Sequence, residues 1–310
     1  MASTNTITQI SPKVAGATEI MANEVLAGVS FQKFKNVPAT RDKFRMWNGS
    51  TSSMIQAYSD SPSETGGVTV ADEEFTITKK SVFHAVPYDK FKDTEFNLSI
   101  SNLKAQGLPS DFVAFVAADT GAKASELAEN EIWNSEGGLT GDPTGLDGIR
   151  KLIRTNLTAA SKTAQIVTST TLDPTDATEI DDVLAALVAT FPKEIVANKA
   201  KFRIYMNQTV NDAYYRYLSG VAATNIPQNN ALVYQNYVIE IIPNLSDAAI
   251  VVAKPENINV SLAVSGDLTA LDVIDMYMLG GGNKARIVGN WGYGVGIATT
   301  DFALFEYDQP

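Results

Sequence analysis

The chain has one histidine, His84, and no cysteine, and these two counts decide most of the chemistry open to it. Without cysteine there is no disulfide, no thiolate nucleophile and no Cys-based zinc or iron–sulfur site. A Ser-His-Asp system would have to use His84, yet no G-x-S-x-G elbow is present, and His84 sits inside a strand pattern that gives it a structural reading. Histidine-rich metal sites are excluded by the same count. The run "IWNSEGGLTGDPTGLDGIRKL", residues 132–152, is the more open case. It reads either as a ligand loop, with Gly-rich turns for phosphate and Asp142 and Asp147 for a metal, or as a hinge that stops a long helix and redirects the chain. The spacing and terminal Glu of an EF-hand are absent, and the rest of the sequence favours the hinge.

Three further constellations carry residue types that chemistry could use. "LGGGNKARIVGNWGYGVG" is glycine-rich but lacks the G-K-[ST] ending of a P-loop, and no βαβ unit with a following acid surrounds "GNWGYG"; its glycines read as bends and close backbone packing. A glycosidase-like carboxylate pair can be drawn in any acidic chain, and nothing here selects one pair. The tyrosines of "DAYYRYL", with Trp291 and Tyr293, read as packing or interface residues, because base stacking would lack a basic groove. No cofactor or metal is expected.

The composition allows a large core. The chain has 310 residues and 45% hydrophobic content, which argues against wholesale disorder. A net charge of −11 argues against a broad basic nucleic-acid surface and suits a protein that stays soluble at high concentration. The charge is uneven. Residues 1–50 carry Lys13, Lys33, Lys35, Arg41, Lys43 and Arg45 against Glu19, Glu24 and Asp42, whereas residues 172–190 carry five acids (Asp173, Asp176, Glu179, Asp181 and Asp182) and no cation. Such asymmetry belongs either to two faces with different surroundings or to ordinary solvated surface. The opening "MASTNTITQISPKVAG" lacks a signal-peptide core, and the apolar runs "FVAFVAA" and "AAIVVA" are too short for a membrane span. A soluble, unexported chain is expected.

The elements follow from periodicity. A polar arm leads to a short helix in "ATEIMANEVLAGVSFQKF". Two extended stretches then flank the turn-rich tip "SDSPSETGG", which predicts a hairpin. Phe75 and Ile77 alternate with Thr76 and Thr78, and after "KKS" the apolar phase moves to Val82 and Val86, as at a bulge. A continuous strand from Val68 to Val86 would extend ~60 Å at about 3.3 Å per residue. A compact globule of this length is only about 50 Å across, so such an arm must wrap the body or project onto a neighbour. "LPSDFVAFVAADTGAKASELAENEIWNSEGG" predicts a helix over 110–136, with Gly121 as its weak point. From residue 176 the pattern is α/β: helix "DATEIDDVLAALVATF", strand "KFRIYMN", helix "QTVNDAYYRYL", strands "NYVIEIIPN" and "AAIVVAKPENINV", and two or three glycine-interrupted closing strands.

In this order the elements, together with "GGLTGDPTGLDGI", "FRIYMNQTVNDAYYRYL", "YVIEIIPNL", "AAIVVAKPENI" and "GNWGYGVGIATTDFALFEYD", resemble the major capsid proteins of tailed bacteriophages. The resemblance implies an α+β, Hong Kong 97-like capsid fold. Its implied parts are an N-terminal arm (1–36), an extended hairpin or E-loop with its base strands (37–100), a peripheral domain (101–175) with spine helix 110–136, an axial domain (176–285) and closing strands of the peripheral domain (286–310). It implies a virion shell protein without enzymatic activity that forms homo-pentamers and homo-hexamers around packaged double-stranded DNA, held non-specifically. Portal, scaffolding or decoration proteins would be further partners, and no membrane is involved. Subunit contacts are expected at Phe75, Ile77, Lys79, Lys80 and Val82. The hinge after the spine helix is expected at Gly137, Gly138, Gly141, Gly145 and Gly148, and a basic arm facing the interior at Lys33, Lys35, Arg41, Lys43 and Arg45. No long helical segment precedes the arm, so no fused scaffolding region is expected, and no crosslinking residue is assigned. The rival readings are an encapsulin-like nanocompartment shell, another virion or tail component, and a carboxylate-based hydrolase.

Overall fold

The computed structural model describes residues 17–36, 43–51, 68–91, 96, 108–137, 145–221, 232–263, 270–277, 279–280, 282–297 and 299–308, with backbone alone at 17–18, 43–51, 68–76, 221 and 270. The helices in chain order are α1 (Ala17–Leu26), α2 (Val29–Lys33), α3 (Ser110–Asn134), α4 (Ile149–Ala159), α5 (Ile180–Ala189), α6 (Lys193–Ala197) and α7 (Gln208–Val221). The strands are β1 (Lys35–Asn36), β2 (Lys43–Thr51), β3 (Val68–Thr76), β4 (Thr78–Pro87), β5 (Ile166–Ser169), β6 (Arg203–Met206), β7 (Val233–Tyr234), β8 (Tyr237–Ile241), β9 (Ala249–Ala253), β10 (Ile258–Leu262), β11 (Ala270–Asp275), β12 (Lys284–Ile297) and β13 (Ala303–Tyr307). They fall into two compact units, Met1–Ala27 with Lys79–Ser125 and Ala263–Gly292, and Gly28–Thr78 with Glu126–Leu262 and Tyr293–Pro310.

In the first unit β12 pairs with β4 and, antiparallel, with β11 from Ala270↔Asn290 to Asp275↔Ala285. The amino-terminal half of α3 buries Phe112, Val113, Val116, Ala117 and Ala124. Gly121 supplies the notch for α1: a Cβ there would lie 2.8 Å from Glu24 Cβ and 3.1 Å from Met21 Cα. The residue that reads as a weakness in the helix is therefore its closest helix-packing point. Phe91, Phe96, Phe112 and Phe115 form an aromatic cluster at 5.2–6.2 Å between ring centroids.

The second unit centres on a six-stranded sheet of order β5-β13-β9-β6-β8-β7. β9, "AIVVA", is buried along its whole length, as an inner strand must be. α5 buries Ile180, Val183, Leu184 and Leu187, spaced at i, i+3, i+4 and i+7, and Asp181 and Asp182 occupy its first turn at the positive helix end. Between β7 and β8, Gln235 (φ 47°) and Asn236 (φ 72°) are both left-handed, the backbone of a two-residue I′ hairpin turn. β10 pairs with the end of β12 from Ile258↔Ile297 to Leu262↔Tyr293, and its other edge takes β1 in parallel.

Two expectations change. Residues 17–36 are not a free arm: Phe31 and Phe34 are buried, and Phe34 stacks 5.7 Å from Trp133 and 5.5 Å from Tyr205. The single short helix expected there is two, because Gly28 takes an extended conformation (ψ 146°) before α2. The last strand, β13, lies between β5 and β9, and Ala303, Leu304 and Phe305 are buried there among apolar neighbours.

Candidate assembly interface

β2 and β3 form a two-stranded sheet of their own, antiparallel and in unbroken register from Lys43↔Thr76 to Thr51↔Val68. Each strand of nine residues extends about 30 Å. Two strands alone are marginally stable in water and leave two edges of backbone donors and acceptors to satisfy. In this register Phe75 stands opposite Phe44 and Glu74 opposite Arg45. Lys43 and Arg45, expected in the basic arm, therefore belong to the outgoing strand of the hairpin.

The returning path changes partner at Ile77. β3 ends at Thr76, Ile77 stands outside both strands, and β4 begins at Thr78 and pairs with β12. The interruption comes before the "KKS" position that the apolar phase suggested. Ile77 is 4% exposed, so its side chain serves the chain's own core and is not available as a subunit contact. Beyond it Lys79 is exposed, Lys80 and Val82 are half-buried, and His84 is exposed. The side chain of Phe75 lies outside the described residues.

One residue that the sequence reading passed over stands out on this strand. Phe83 is 70% exposed, and the guanidinium of Arg286 on β12 lies 4.9 Å from its ring centroid. Arg286 Nε is buried without a hydrogen-bond partner. The available signal was charge: β4 and β12 together carry Lys79, Lys80, Lys284 and Arg286 and no acid.

The glycine-rich turn closes on itself at its base. Gly148 N–H donates to Ser135 O at 2.8 Å, Glu136 and Asp147 form an isolated bridge, and Lys151 Nζ donates to Asp147 Oδ1 at 2.7 Å and to Gly137 O at 3.2 Å. α3 ends at Asn134, two residues short of the expected limit, and Gly137, three residues on, is left-handed at φ 51°. Gly148 is required for closeness: a Cβ would lie 2.8 Å from both Ser135 N and Ser135 O. Gly145 is half-buried, while Gly138 and Gly141, like Asp142, lie outside the described residues. Asp147, weighed as a metal ligand, is engaged by Lys151.

α4 shows how the turn is tied to the last strand. Ile149, Ile153 and Leu157 are buried, and from the same helix Arg150 and Arg154 reach Glu306 on β13. Arg154 Nη2 lies 2.6 Å from Glu306 Oε1, and Glu136 engages the same guanidinium. The hydrogen bond to Glu306 raises the Arg154 pKa above its usual range. Of the remaining expected basic residues, Lys33 pairs with Glu240 at 2.9 Å, Lys35 is exposed in β1, and Arg41 lies outside the described residues.

Catalytic geometry is sparse. Among the described residues no group of three or more His, Asp or Glu is placed to hold a metal ion, and no helix is long and apolar enough to cross a membrane. A shallow polar depression of about 460 Å³ lies among Asn130, Asn134, Arg150, Asn207 and the 243–247 loop. Its Asn134 is used internally, donating to Asn244 O at 2.6 Å and accepting from Ser246 N–H at 2.9 Å.

No family model matches the chain, and no curated protein is similar to it in sequence. Its backbone is similar to a chain from the satellite phage P4 procapsid including size determination (Sid) protein, at TM-score 0.60 and 10% identity, covering 93% of this chain and 89% of that one. It is similar to a chain from the capsid of a native GTA particle, at TM-score 0.55 and 12% identity, covering 92% and 90%. A structure from Mycobacterium phage Cain matches at TM-score 0.54 and 13% identity, covering 91% and 90%. Over nearly its whole length the chain has a mixed helix-and-sheet fold shared with phage capsid structures.

Proposed function

We propose that this chain is the major capsid protein of a tailed bacteriophage, a shell subunit that forms pentamers and hexamers and, from these, an icosahedral shell around the DNA genome. The observation that carries this reading is the β2–β3 hairpin, two strands that among the described residues pair only with each other, on a chain whose backbone is similar over nearly its whole length to capsid structures. A neighbouring copy beneath the hairpin hides edges that one chain leaves open, and obligate interfaces of this type bury more than roughly 2,000 Å². In this reading the work of the molecule is repeated association, not catalysis. In this reading Phe75 lies on the contacting arm, Lys79, Lys80 and Val82 lie on β4 at its root, and Lys35 and Arg41 face the packaged DNA, which is held by charge and not by sequence. Portal, scaffolding and decoration proteins are further partners, and assembly takes place in the host cytoplasm.

The test is size-exclusion chromatography with negative-stain microscopy of the purified chain and of a variant with residues 43–76 replaced by a short glycine-serine linker. Closed particles or five- and six-membered rings from the intact chain, lost in the variant, support the proposal. An intact chain that stays monomeric at every concentration refutes it. Particles filled with an enzyme instead of nucleic acid would favour the nanocompartment reading.

A further inference from the structure

We infer that the depression at the carboxyl ends of β6 and β8 is a binding site for a small carboxylate, held by Asn207, Arg150 and the first turn of α7. The inference goes beyond the shell reading and does not depend on it. β6, α7 and β8 make a parallel crossover: Met206, the last residue of β6, is in register with Ile241, the last of β8, and Ile242 N–H donates to Met206 O at 2.9 Å. Where strands run parallel, ligands seat beyond their carboxyl ends, at the point where the chain turns into the next helix. The depression of about 460 Å³ lies there, lined by Asn207, the 243–247 loop, Arg150 of α4, and Asn130 and Asn134 at the end of α3. That volume is in the range of small-molecule sites.

Several N–H donors on its wall lack partners. Asn207, which precedes α7, is 8% exposed, and its Oδ1 accepts from Val210 N–H at 2.8 Å, capping the helix. Its Nδ2 then has no partner among the described residues, and a buried amide donor left over in this way calls for an acceptor from outside the chain. Arg150 directs Nε and Nη2 to Glu306 Oε1 at 3.2 and 2.9 Å, and its Nη1 has no partner among the described residues. Asn130 Oδ1 accepts from Asn134 Nδ2 at 2.9 Å, and Asn130 Nδ2 is in the same position as the other two. The positive end of α7, a helix of 14 residues, adds to these donors. The charges narrow the ligand class. Glu306 and Glu136 balance Arg150 and Arg154, and the exposed Asp247 lines the depression as one further acid. N–H donors and a helix end without excess cation suit a singly charged carboxylate and disfavour a dianion such as phosphate.

The experiment titrates the full chain with labelled acetate and with inorganic phosphate, read from the broadening of the magnetic-resonance lines of each anion, with thermal melts in parallel. Acetate is expected to bind saturably and more tightly than phosphate. Asn207→Asp keeps an oxygen for Val210 N–H but sets a carboxylate where the amide donor stood. It should weaken acetate binding at least about tenfold while the melting temperature is unchanged or higher. Asn130→Asp, at an exposed position, should weaken binding as well, and Asp247→Asn should strengthen it. If Asn207→Asp lowers the melting temperature, the Asn130 and Asp247 variants decide the matter. No saturable binding of acetate, or equal affinity in parent and variants, overturns the site. Phosphate bound more tightly than acetate overturns its assignment to a carboxylate.

Discussion

Glu129 accepts two hydrogen bonds from Ser30, from its backbone N–H at 2.8 Å and from its hydroxyl at 2.6 Å, and Trp133 Nε1 donates to that same hydroxyl at 2.9 Å. Glu129 and Trp133 lie one turn apart on α3, and all three side chains are 5% exposed or less. Replacing the hydroxyl strands a buried indole N–H and half of a carboxylate. Ser30→Ala should therefore cost about 1–3 kcal/mol in urea denaturation. A loss below a few tenths would mean that the pair is incidental.

The same carboxyl gives a pH signature. Burial raises the Glu129 pKa above the usual carboxylate range, opposed by its hydrogen bonds from Ser30. A group whose pKa rises on folding contributes stability that is complete below its unfolded pKa and lost as the pH climbs through the folded one. The unaltered chain should thus lose stability relative to Glu129→Gln as the pH rises from about 4 toward neutrality. Melting curves that stay parallel across that range would count against it.

Gly148 is needed for room and not for conformation, since its φ of −70° suits any residue. Gly148→Ala would press a methyl group into the Ser135 peptide and Glu131 O at 2.8–2.9 Å. The expected loss is about 1–3 kcal/mol, accompanied by earlier hydrogen exchange of the Gly148 amide that closes the turn.

Two helix glycines should respond in opposite directions. Gly121→Ala improves the propensity of α3 but meets Glu24 Cβ at 2.8 Å, so it should loosen α1 and lower the melting temperature. Gly220→Ala, in α7, meets nothing within 4 Å and should stabilise by up to ~1 kcal/mol. Equal responses at the two sites would show that propensity, not packing, governs both.

Glu306 holds two guanidiniums, at 2.9 Å to Arg150 and 2.6 Å to Arg154, with its own side chain 11% exposed. Glu306→Gln leaves both cations facing a neutral amide. Because Arg154 is 39% exposed and shares Glu136, the expected cost is about 2 kcal/mol, less than for a fully buried pair. Raising the salt concentration should narrow the gap between variant and parent.

What the sequence showed and what it hid divide along the range of the interactions. The long run of Ala, Leu, Glu and Lys after Ser110 and the alternation around Phe75 are local signals, and both elements formed where they were read. Ile77 shows the limit: alternation continues almost unchanged across it, so nothing local says that the path leaves β2 for β12. Gly121 looked like a flaw because the helix that needs its missing side chain lies about a hundred positions earlier in sequence. Glu129 looked like ordinary helix surface, since its partner Ser30 is 99 positions away. The ion pair of Lys33 with Glu240 has the same origin, contact between distant segments. Phe83 was missed for another reason. A lone aromatic in a strand reads as core, and only the fold shows which face it occupies.

Both ends of the hairpin lead to laddered strands: β1, which pairs with β10, precedes it with residues 37–42 between, and β4, which pairs with β12, follows it after Ile77. A ribbon held at both ends has fewer orientations to lose than one held at a single end, so in the proposed shell the two ladders lower the ordering cost of association. Cutting either tether, for example with proline at Asn36, should leave the folded monomer largely intact while association becomes slower and more weakly held. In the proposed shell the two roots would thus act on the rate of encounter between copies, although neither has to touch the copy that is met.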